Sequence, residues 1–188
     1  EACTAERGAG RFDFELSIDE TVTPTTPQAH ALMAREVARR GVKVSSLAPR
    51  FVGEFQKGID YLGDVGAFEA SFATHASICR ALGHRISVHS GSDKFSVFPA
   101  VGRLARGRFH VKTAGTSWLE ALRVVAAVDP AFFVELYAHA RRTYDNARKL
   151  YHVTPDLARL PSPGGLDPSA GASLLDDPDG RRVLHITY

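Results

Sequence analysis

Apolar and polar residues alternate over short stretches at five places in the chain, and a period of two is typical of β-strands. The alternation is clearest over residues 11–20, where four apolar side chains, Phe12, Phe14, Leu16 and Ile18, are separated by polar ones. The same reasoning predicts further strands over 42–51, 85–90, 108–115 and 181–188. The pattern therefore predicts five strands distributed along the whole chain.

Between these strands, apolar residues recur every three to four positions, which predicts helices. Thr26 followed by Pro27 begins the first, and Gly41 follows its end. The second carries Phe68, Phe72, Cys79 and Leu82 on one face and stops at Gly83. Others are predicted within 95–106, from Ser117 with its S-x-x-E capping box, and from Asp129-Pro130 to about residue 151. Residues 161–180, rich in Pro, Gly and Asp, are predicted to form a loop.

Strands that alternate with helices predict an α/β fold with a parallel sheet. An open doubly wound sheet that binds a nucleotide should carry a glycine fingerprint after a strand, and this chain has none. The expectation is therefore a (β/α) barrel of the TIM type. Five strands are too few for such a barrel, which usually has about eight. We expect residues 1–188 to be a single C-terminal segment of a larger barrel, with its unpaired sheet edges covered by further chain or by another copy.

Composition narrows the class of protein without identifying it. The 188 residues are 44% hydrophobic and 23% charged, with a net charge of +2, as in an ordinary soluble domain. The positive charges are scattered, which argues against a nucleic-acid partner, and no apolar run approaches a membrane span. The first ten residues are no signal peptide, so the cytoplasm is the expected location. Cys3 and Cys79 form no disulfide pattern, and Cys79 is expected to be buried.

Candidate chemistry lies where the predicted strands end, because barrel enzymes draw their active sites from those ends. The polar residues there are Glu15, Ser17, Asp19 and Glu20 on the first strand, Ser45, Ser46 and Arg50 on the second, His89, Ser90, Ser92, Asp93 and Lys94 on the third, Lys112, Thr113 and Thr116 on the fourth, and His185 and Thr187 on the fifth.

His89 and His185 occupy matched positions late in their predicted strands. Together with Asp19 or Glu20 they predict a divalent-metal site, with zinc or manganese as the expected ion. The alternative is that each histidine is a hydrogen-bonded core residue and that the two carboxylates cap a helix. The other histidines, His30, His75, His84, His110, His139 and His152, are interpreted as structural.

Arg50 and Lys94 are candidates for binding an anionic group, because a guanidinium or an ammonium pairs well with a carboxylate. The alternative for both is a surface ion pair. Asp93 has the alternative role of capping the helix that follows it.

Three long strings carry a family resemblance: "SLAPRFVGEFQKGIDY", "ISVHSGSDKFSVFP" and "FHVKTAGTSWLEALRVVA". With "FELSIDET" at 14–21 and the closing "VLHITY", they resemble the tagaturonate epimerases of bacterial hexuronate catabolism. Members of that family are considerably longer than this chain. The resemblance implies a β/α barrel and a metal-dependent interconversion of D-tagaturonate and D-fructuronate, with a sugar acid as the small-molecule partner.

The chemistry of that interconversion restricts the mechanism. The two acids differ at a hydroxyl-bearing carbon β to the ketone, so simple proton abstraction gives no conjugated carbanion. Transient oxidation by a nicotinamide and retro-aldol cleavage with re-addition remain, and the missing dinucleotide fingerprint favours the second.

Carried onto this sequence, the resemblance implies specific roles. His89 and His185 are metal ligands, Asp19 or Glu20 is a third ligand or the general base, and Lys112 takes part in catalysis. The substrate is held by Arg50, Ser90, Ser92, Lys94 and Thr113. Two alternatives stay open: another metal-dependent sugar isomerase or aldolase, and a non-catalytic domain that binds a sugar acid or a partner chain.

Overall fold

A computed structural model describes residues 11–113 and 116–187, apart from the side chain of Thr116. These residues divide into two compact units. The sheet unit consists of the described residues up to Glu54, with Gly63–His89 and Phe95–Lys112. The helical unit consists of Phe55–Leu62, Ser90–Lys94 and the described residues from Thr113 onward.

The sheet unit contains four parallel strands in the order β1-β2-β3-β4. They are β1 Glu15–Ile18, β2 Ser46–Pro49, β3 Arg85–Val88 and β4 Phe109–Val111, and the helices between them are α1 Pro27–Arg39, α2 Val65–Leu82 and α3 Phe98–Ala105. Each strand lies inside a range predicted from the alternation. The prediction of a mixed α/β fold with a parallel sheet is confirmed.

The two faces of this sheet differ in chemistry, because successive side chains of a strand point to opposite sides. The pairing of Leu47 with Ile86 belongs to an apolar set that is almost fully buried. The opposite face carries polar side chains, defined here as the polar face: Glu15, Ser17 and Asp19 from β1 and its end, Ser46 from β2, Ser87 and His89 from β3 and its end, and His110 and Lys112 from β4 and its end.

All three connecting helices belong on the apolar side. The strand order runs in sequence without reversal, and crossovers between parallel strands are almost always right-handed. Right-handed crossovers in one direction place every helix on the same side of a sheet. The polar face is therefore free of these three helices, and it is the place to look for a site.

The helical unit is formed by α4 Thr116–Val128, α5 Pro130–Ala147, a 3₁₀ turn at Pro168–Ala170, α6 Gly171–Asp176 and α7 Pro178–Ile186. Its core is a cluster in which Leu119, Phe133, Tyr137 and Leu175 are fully buried. Asp129 begins α5 as predicted, since its carboxylate accepts a hydrogen bond from the amide of Phe132 at 3.0 Å. Helix α5 ends four residues earlier than the sequence predicted, at Ala147.

The predicted fifth strand over 181–188 is wrong, because Arg181–Ile186 belong to helix α7. Asp177 begins this helix by accepting hydrogen bonds from the amides of Asp179 and Gly180 at 2.8 and 3.0 Å, and Pro178 occupies the first turn. The stretch 161–180 is likewise not loop throughout, since it contains the 3₁₀ turn, α6 and the start of α7.

Two smaller expectations are also settled. Helix α4 begins at Thr116, so Ser117 lies inside its first turn and is not the predicted N-cap. Cys79 is buried, as predicted, whereas Cys3 lies outside the described residues. Among the described residues, no helix is both long and apolar enough to cross a membrane.

Candidate active site

Glu15 is the centre of a hydrogen-bonded group on the polar face. Register pairs Glu15 with Ser46, whose hydroxyl donates to Glu15 Oε2 at 2.6 Å. The Nδ1 atom of His110 lies 2.9 Å from the same oxygen, and the Nε2 atom of His89 lies 2.5 Å from Oε1. Ser87 and His110, which are register partners, are joined at 3.0 Å. Side chains from β2, from the end of β3 and from β4 thus surround one carboxylate of β1.

His89 lies between two carboxylates. Its Nε2 atom faces Glu15, and its Nδ1 atom lies 3.1 Å from Oδ2 of Asp19. Asp19 follows β1 directly and accepts a further hydrogen bond from Ser17. The side chain of His89 is only 8% exposed, against 25% for Glu15 and 19% for Asp19. The two acids remain open to solvent while the imidazole between them is nearly enclosed.

The electrostatics of this group keep charge on all three members. Burial raises the pKa of Glu15, but hydrogen bonds from Ser46 and His89 outweigh it and lower that pKa to about 2. Burial also raises the pKa of Asp19, and hydrogen bonds from His89 and Ser17 reverse the effect and lower it. For His89, burial lowers the pKa, while the two carboxylates more than compensate and raise it. The favoured state is an imidazolium between two carboxylates.

The sequence predicted some members of this group and missed others. Asp19 and His89 lie together as predicted, and the structure separates Asp19 from Glu20, which is exposed. Glu15 was named among the strand-end residues but received no role, and His110 was interpreted as structural. The missed signal was the period of two: residues 15, 17 and 19 share one face, as do 87 and 89.

Arg50 is held against the loop between β1 and α1. Its amide donates to the hydroxyl of Thr25 at 2.9 Å, and its guanidinium donates to the carbonyl of Thr21. Glu54 lies 4.0 Å away from the guanidinium. Arg50 thereby orders the segment that follows Asp19, and its predicted contact with a substrate stays a prediction.

Lys94 belongs to the helical unit and is completely buried. Its ammonium group donates to three backbone carbonyls, those of Gln56, Ile59 and Ser92, at 2.8, 2.5 and 2.9 Å. An ammonium has three protons, so these contacts use all of them. Burial lowers the pKa of Lys94 to about 8, against the opposing effect of Asp93. The structure thus gives Lys94 the task of fixing its loop.

The same loop contains two residues in the left-handed region, Ser90 with φ of 49° and Asp93 with φ of 60°. Asp93 forms an ion pair with Arg181 at 3.5 Å. Ser92 is buried and Thr113 is exposed. Substrate binding by Ser90, Ser92 and Thr113 stays a prediction, as does a catalytic role for Lys112, which is exposed and whose amide donates to the carbonyl of Val88 at 2.9 Å.

His185 does not lie at a strand end, because it is a buried residue of helix α7. The argument that matched it with His89 through strand position is therefore wrong. It packs close to Gly58, where an added Cβ would lie 3.3 Å from the Cβ of His185. A metal-ligating role for His185 stays a prediction without that support.

Comparison with known proteins decides the family. The sequence profile of tagaturonate epimerases matches residues 3–188. The chain belongs to the tagaturonate epimerase family. A tagaturonate/fructuronate epimerase from Thermotoga maritima is 47% identical over 178 residues, which cover 94% of this chain and 37% of that protein.

Solved structures of a fructuronate-tagaturonate epimerase from Cohnella laeviribosi agree with this family assignment. The native crystal structure superimposes with a TM-score of 0.91 at 45% identity, covering 100% of this chain and 39% of that one. A crystal structure of the same epimerase with one glycerol gives 0.90 at 47% identity, covering 98% and 38%. The chain thus spans somewhat more than a third of the length of these relatives.

The donor atoms of the polar face have the right chemistry for a divalent transition metal. Imidazole nitrogens and carboxylate oxygens together are ligands that zinc and manganese accept. Glu15, Asp19, His89 and His110 supply two of each kind. Each ring nitrogen of His89 faces a carboxylate oxygen, so ligation by His89 requires one of those contacts to be exchanged for the ion.

Proposed function

We propose that this chain carries part of the active site of an enzyme that interconverts D-tagaturonate and D-fructuronate. Membership of the tagaturonate epimerase family supports the proposal, as does the 47% identity to a tagaturonate/fructuronate epimerase. The enclosure of His89 between Glu15 and Asp19 on the polar face is the observation that assigns the proposed activity to particular residues.

We further infer that the four-stranded sheet is part of a (β/α) barrel. The sequential strand order supports this, because a doubly wound sheet reverses its order and places helices on both faces. In a barrel, the face away from the helices becomes the interior, and residues near the strand ends form the site. The polar face is then the wall of a substrate pocket.

The proposed reaction is a retro-aldol cleavage followed by re-addition. A base takes the proton of the hydroxyl on the carbon β to the ketone, and that hydroxyl becomes an aldehyde. The bond between the α and β carbons breaks, and its electron pair passes through the α carbon to the ketone oxygen. The aldehyde rotates and the same bond forms again from its other face. The proton then returns to the oxygen, so no oxidant is needed.

Asp19 is our candidate for the base. It is ionised because its pKa is lowered, and its partial exposure leaves an oxygen accessible to a substrate hydroxyl. The two carboxylates raise the pKa of His89, which favours its charged form, and the ring can pass a proton between Asp19 and Glu15 or stabilise an anionic oxygen. Glu15 fixes the ring from the other side. Lys112, on the same face, is suited to contact the substrate carboxylate.

The residues suited to a divalent metal are His89 and Asp19, with Glu15 and His110 beside them. Such an ion, when bound, would polarise the ketone and stabilise negative charge on its oxygen. Zinc and manganese are the first ions to test.

The test is turnover of tagaturonate, read as fructuronate, with and without added zinc or manganese. We expect Asp19→Asn and His89→Asn to lower kcat by about 100-fold or more, because positioned acid–base groups contribute at least that much. Glu20→Gln is the matched control and is expected to stay within about twofold. Absence of turnover by the wild-type chain with either metal would favour the non-catalytic alternative. An equal loss of kcat in all three variants would contradict the assignment of Asp19 as the base.

A further inference from the structure

A second group of potential ligands lies in the sheet unit, among residues of α1, of α2 and of the connection to β3. It consists of His30, His75, Cys79 and His84, all of them buried and none of them on the polar face. The Nδ1 atoms of His30 and His75 are 2.8 Å apart, and the Nε2 atoms of His30 and His84 are 3.2 Å apart. The Sγ atom of Cys79 lies 3.7 Å from Nε2 of His30.

The three imidazoles form a row whose ends are both hydrogen-bond donors. His75 donates to the backbone carbonyl of Thr25 at one end, and His84 donates to the carbonyl of Leu82 at the other. The row therefore contains four contacts: carbonyl to His75, His75 to His30, His30 to His84, and His84 to carbonyl. Each of these contacts needs one proton between its two heavy atoms.

Three neutral imidazoles carry only three protons, so one of the four contacts is left with lone pairs facing each other. Both carbonyl contacts need a proton, and His30 can donate from one nitrogen only. A fourth proton would make one of the three rings a cation, and burial opposes a charge on this row because His30 at its centre is completely buried. The thiol of Cys79, whose Sγ lies 3.7 Å from Nε2 of His30, adds a donor to that nitrogen but places no proton between the two Nε2 atoms. The deficit is thus not removed by ordinary ionisation.

We propose that His30, Cys79 and His84 bind one transition-metal ion of the zinc class through Nε2, Sγ and Nε2. Within the described ranges 11–113 and 116–187, these three form the group whose ligand atoms all lie within 4.8 Å of one another. An ion between His30 and His84 takes the place of the missing proton. The three remaining contacts then have one proton each.

The observed separations fit the edges of a tetrahedral zinc site. Zinc lies about 2.0–2.1 Å from imidazole nitrogen and about 2.3 Å from thiolate sulfur, which gives tetrahedral edges of roughly 3.3 Å between nitrogens and roughly 3.6 Å from nitrogen to sulfur. The separations in this protein are 3.2 and 3.7 Å. Two of the three edges therefore match those of a zinc site, and the third, from Sγ of Cys79 to Nε2 of His84, is within 4.8 Å.

The surrounding contacts orient the two histidine ligands. Metal-ligating histidines usually donate their other ring nitrogen to a carbonyl or another acceptor, which fixes the tautomer and orientation. His84 has the Leu82 carbonyl for this purpose, and His30 has His75, which in turn has the Thr25 carbonyl. A bound ion ionises the thiol of Cys79. The site would join α1, α2 and the start of β3.

The experiment uses cobalt in place of zinc, because a thiolate bound to cobalt gives a charge-transfer band in the near ultraviolet. The full chain carrying Cys3→Ala is freed of metal by chelation and titrated with Co²⁺ alone. We expect the band to appear and to saturate at an intensity that corresponds to one thiolate-bound Co²⁺ per chain. Adding Cys79→Ala should abolish the band and remove one equivalent of bound metal. His84→Gln should weaken binding at least about 10-fold, since even outer contacts contribute that much.

His89→Asn is the matched control, because it alters the polar face and should leave the band unchanged. A band that survives Cys79→Ala, or wild-type protein without a band at saturating cobalt, overturns the proposal. Zinc X-ray absorption on the Cys3→Ala chain needs no substitution in the cluster. A sulfur ligand at about 2.3 Å supports the site, and a shell of only nitrogen and oxygen overturns it.

Discussion

At the scale of single residues, His89 is where the charges of the polar face meet. Both of its ring nitrogens face carboxylates, so its charge, its orientation and the ionisation of Glu15 and Asp19 are coupled. Charge-assisted hydrogen bonds of this kind are about twice as strong as neutral ones. A pH dependence of stability follows from this coupling.

We expect His89→Gln to destabilise the fold by about 1.5–3 kcal/mol near pH 5.5, which is the range for hydrogen bonds to charged groups. The pKa of Glu15 is lowered to about 2, so its contribution is present above the unfolded value of about 4.5 and is lost as the pH falls. The pKa of His89 is raised, so its contribution is full below about 6.5 and is lost as the pH rises through the folded value. The difference between wild type and variant should therefore be largest between these limits.

The measurement is denaturant unfolding of both proteins at pH 3, 5.5 and 9. Glu20→Gln, which changes an exposed carboxylate next to Asp19, is the control and should show a small difference that does not vary with pH. A His89→Gln difference that is equal at all three pH values would contradict the charged arrangement.

Lys94 is a second residue whose surroundings define its role. Lys94→Met removes the charge and leaves the carbonyls of Gln56, Ile59 and Ser92 without their donor, and buried unsatisfied groups are costly. We expect a loss of about 3 kcal/mol in the free energy of unfolding. Lys149→Met, at an exposed lysine bonded to Asn146, is the control and should change stability by less than about 0.5 kcal/mol. Unchanged stability combined with a raised KM for tagaturonate would instead favour substrate binding by Lys94.

At the scale of elements, helix α7 lies where the sequence predicted the last strand. The close approach of Gly180 to helix α6 shows how tightly α7 is packed. A Cβ added to Gly180 in α7 would lie only 2.2 Å from the carbonyl oxygen of Leu174 in α6. No side chain can be accommodated there without moving one helix. Gly102 in α3 is also helical, but an added Cβ meets nothing within 4 Å.

These two glycines form a matched pair of substitutions. Gly180→Ala should lower the thermal midpoint, by the equivalent of about 1–3 kcal/mol or more, because it overpacks the α6–α7 turn. Gly102→Ala should raise stability by about 0.5–1 kcal/mol, since alanine is the better helix former. Thermal unfolding followed by circular dichroism measures both. A stabilising Gly180→Ala would be incompatible with the helix packing at residues 174–180.

At the scale of the whole molecule, the strand order decides more than the strand count. A sheet that runs β1-β2-β3-β4 without reversal leaves one face free of the connecting helices, and that face carries the candidate site. Within the described residues, β1 and β4 each pair on one side only. The expectation that another copy or further chain covers these edges stays a prediction.

Part of the site was accessible from the sequence. Asp19 and His89 follow predicted strands, and strand ends are where parallel sheets collect functional groups. Glu15 received no role from the sequence because this residue lies at the start of β1 as the structure defines it. Its role depends on the strand register that pairs it with Ser46. His185 was predicted to lie at a strand end because a short apolar stretch can alternate as a strand does and still form a helix.

The sequence by itself determined the parallel α/β character, the family and the placement of the first four strands, because local periodicity and long matching strings are properties of the chain. Tertiary structure alone decided which two carboxylates face His89, which carbonyls accept from the Lys94 ammonium and that His30, Cys79 and His84 converge. These contacts join residues 31–74 positions apart, or depend on a buried loop. No short-range pattern encodes such distances, since they are set by register, crossover handedness and packing.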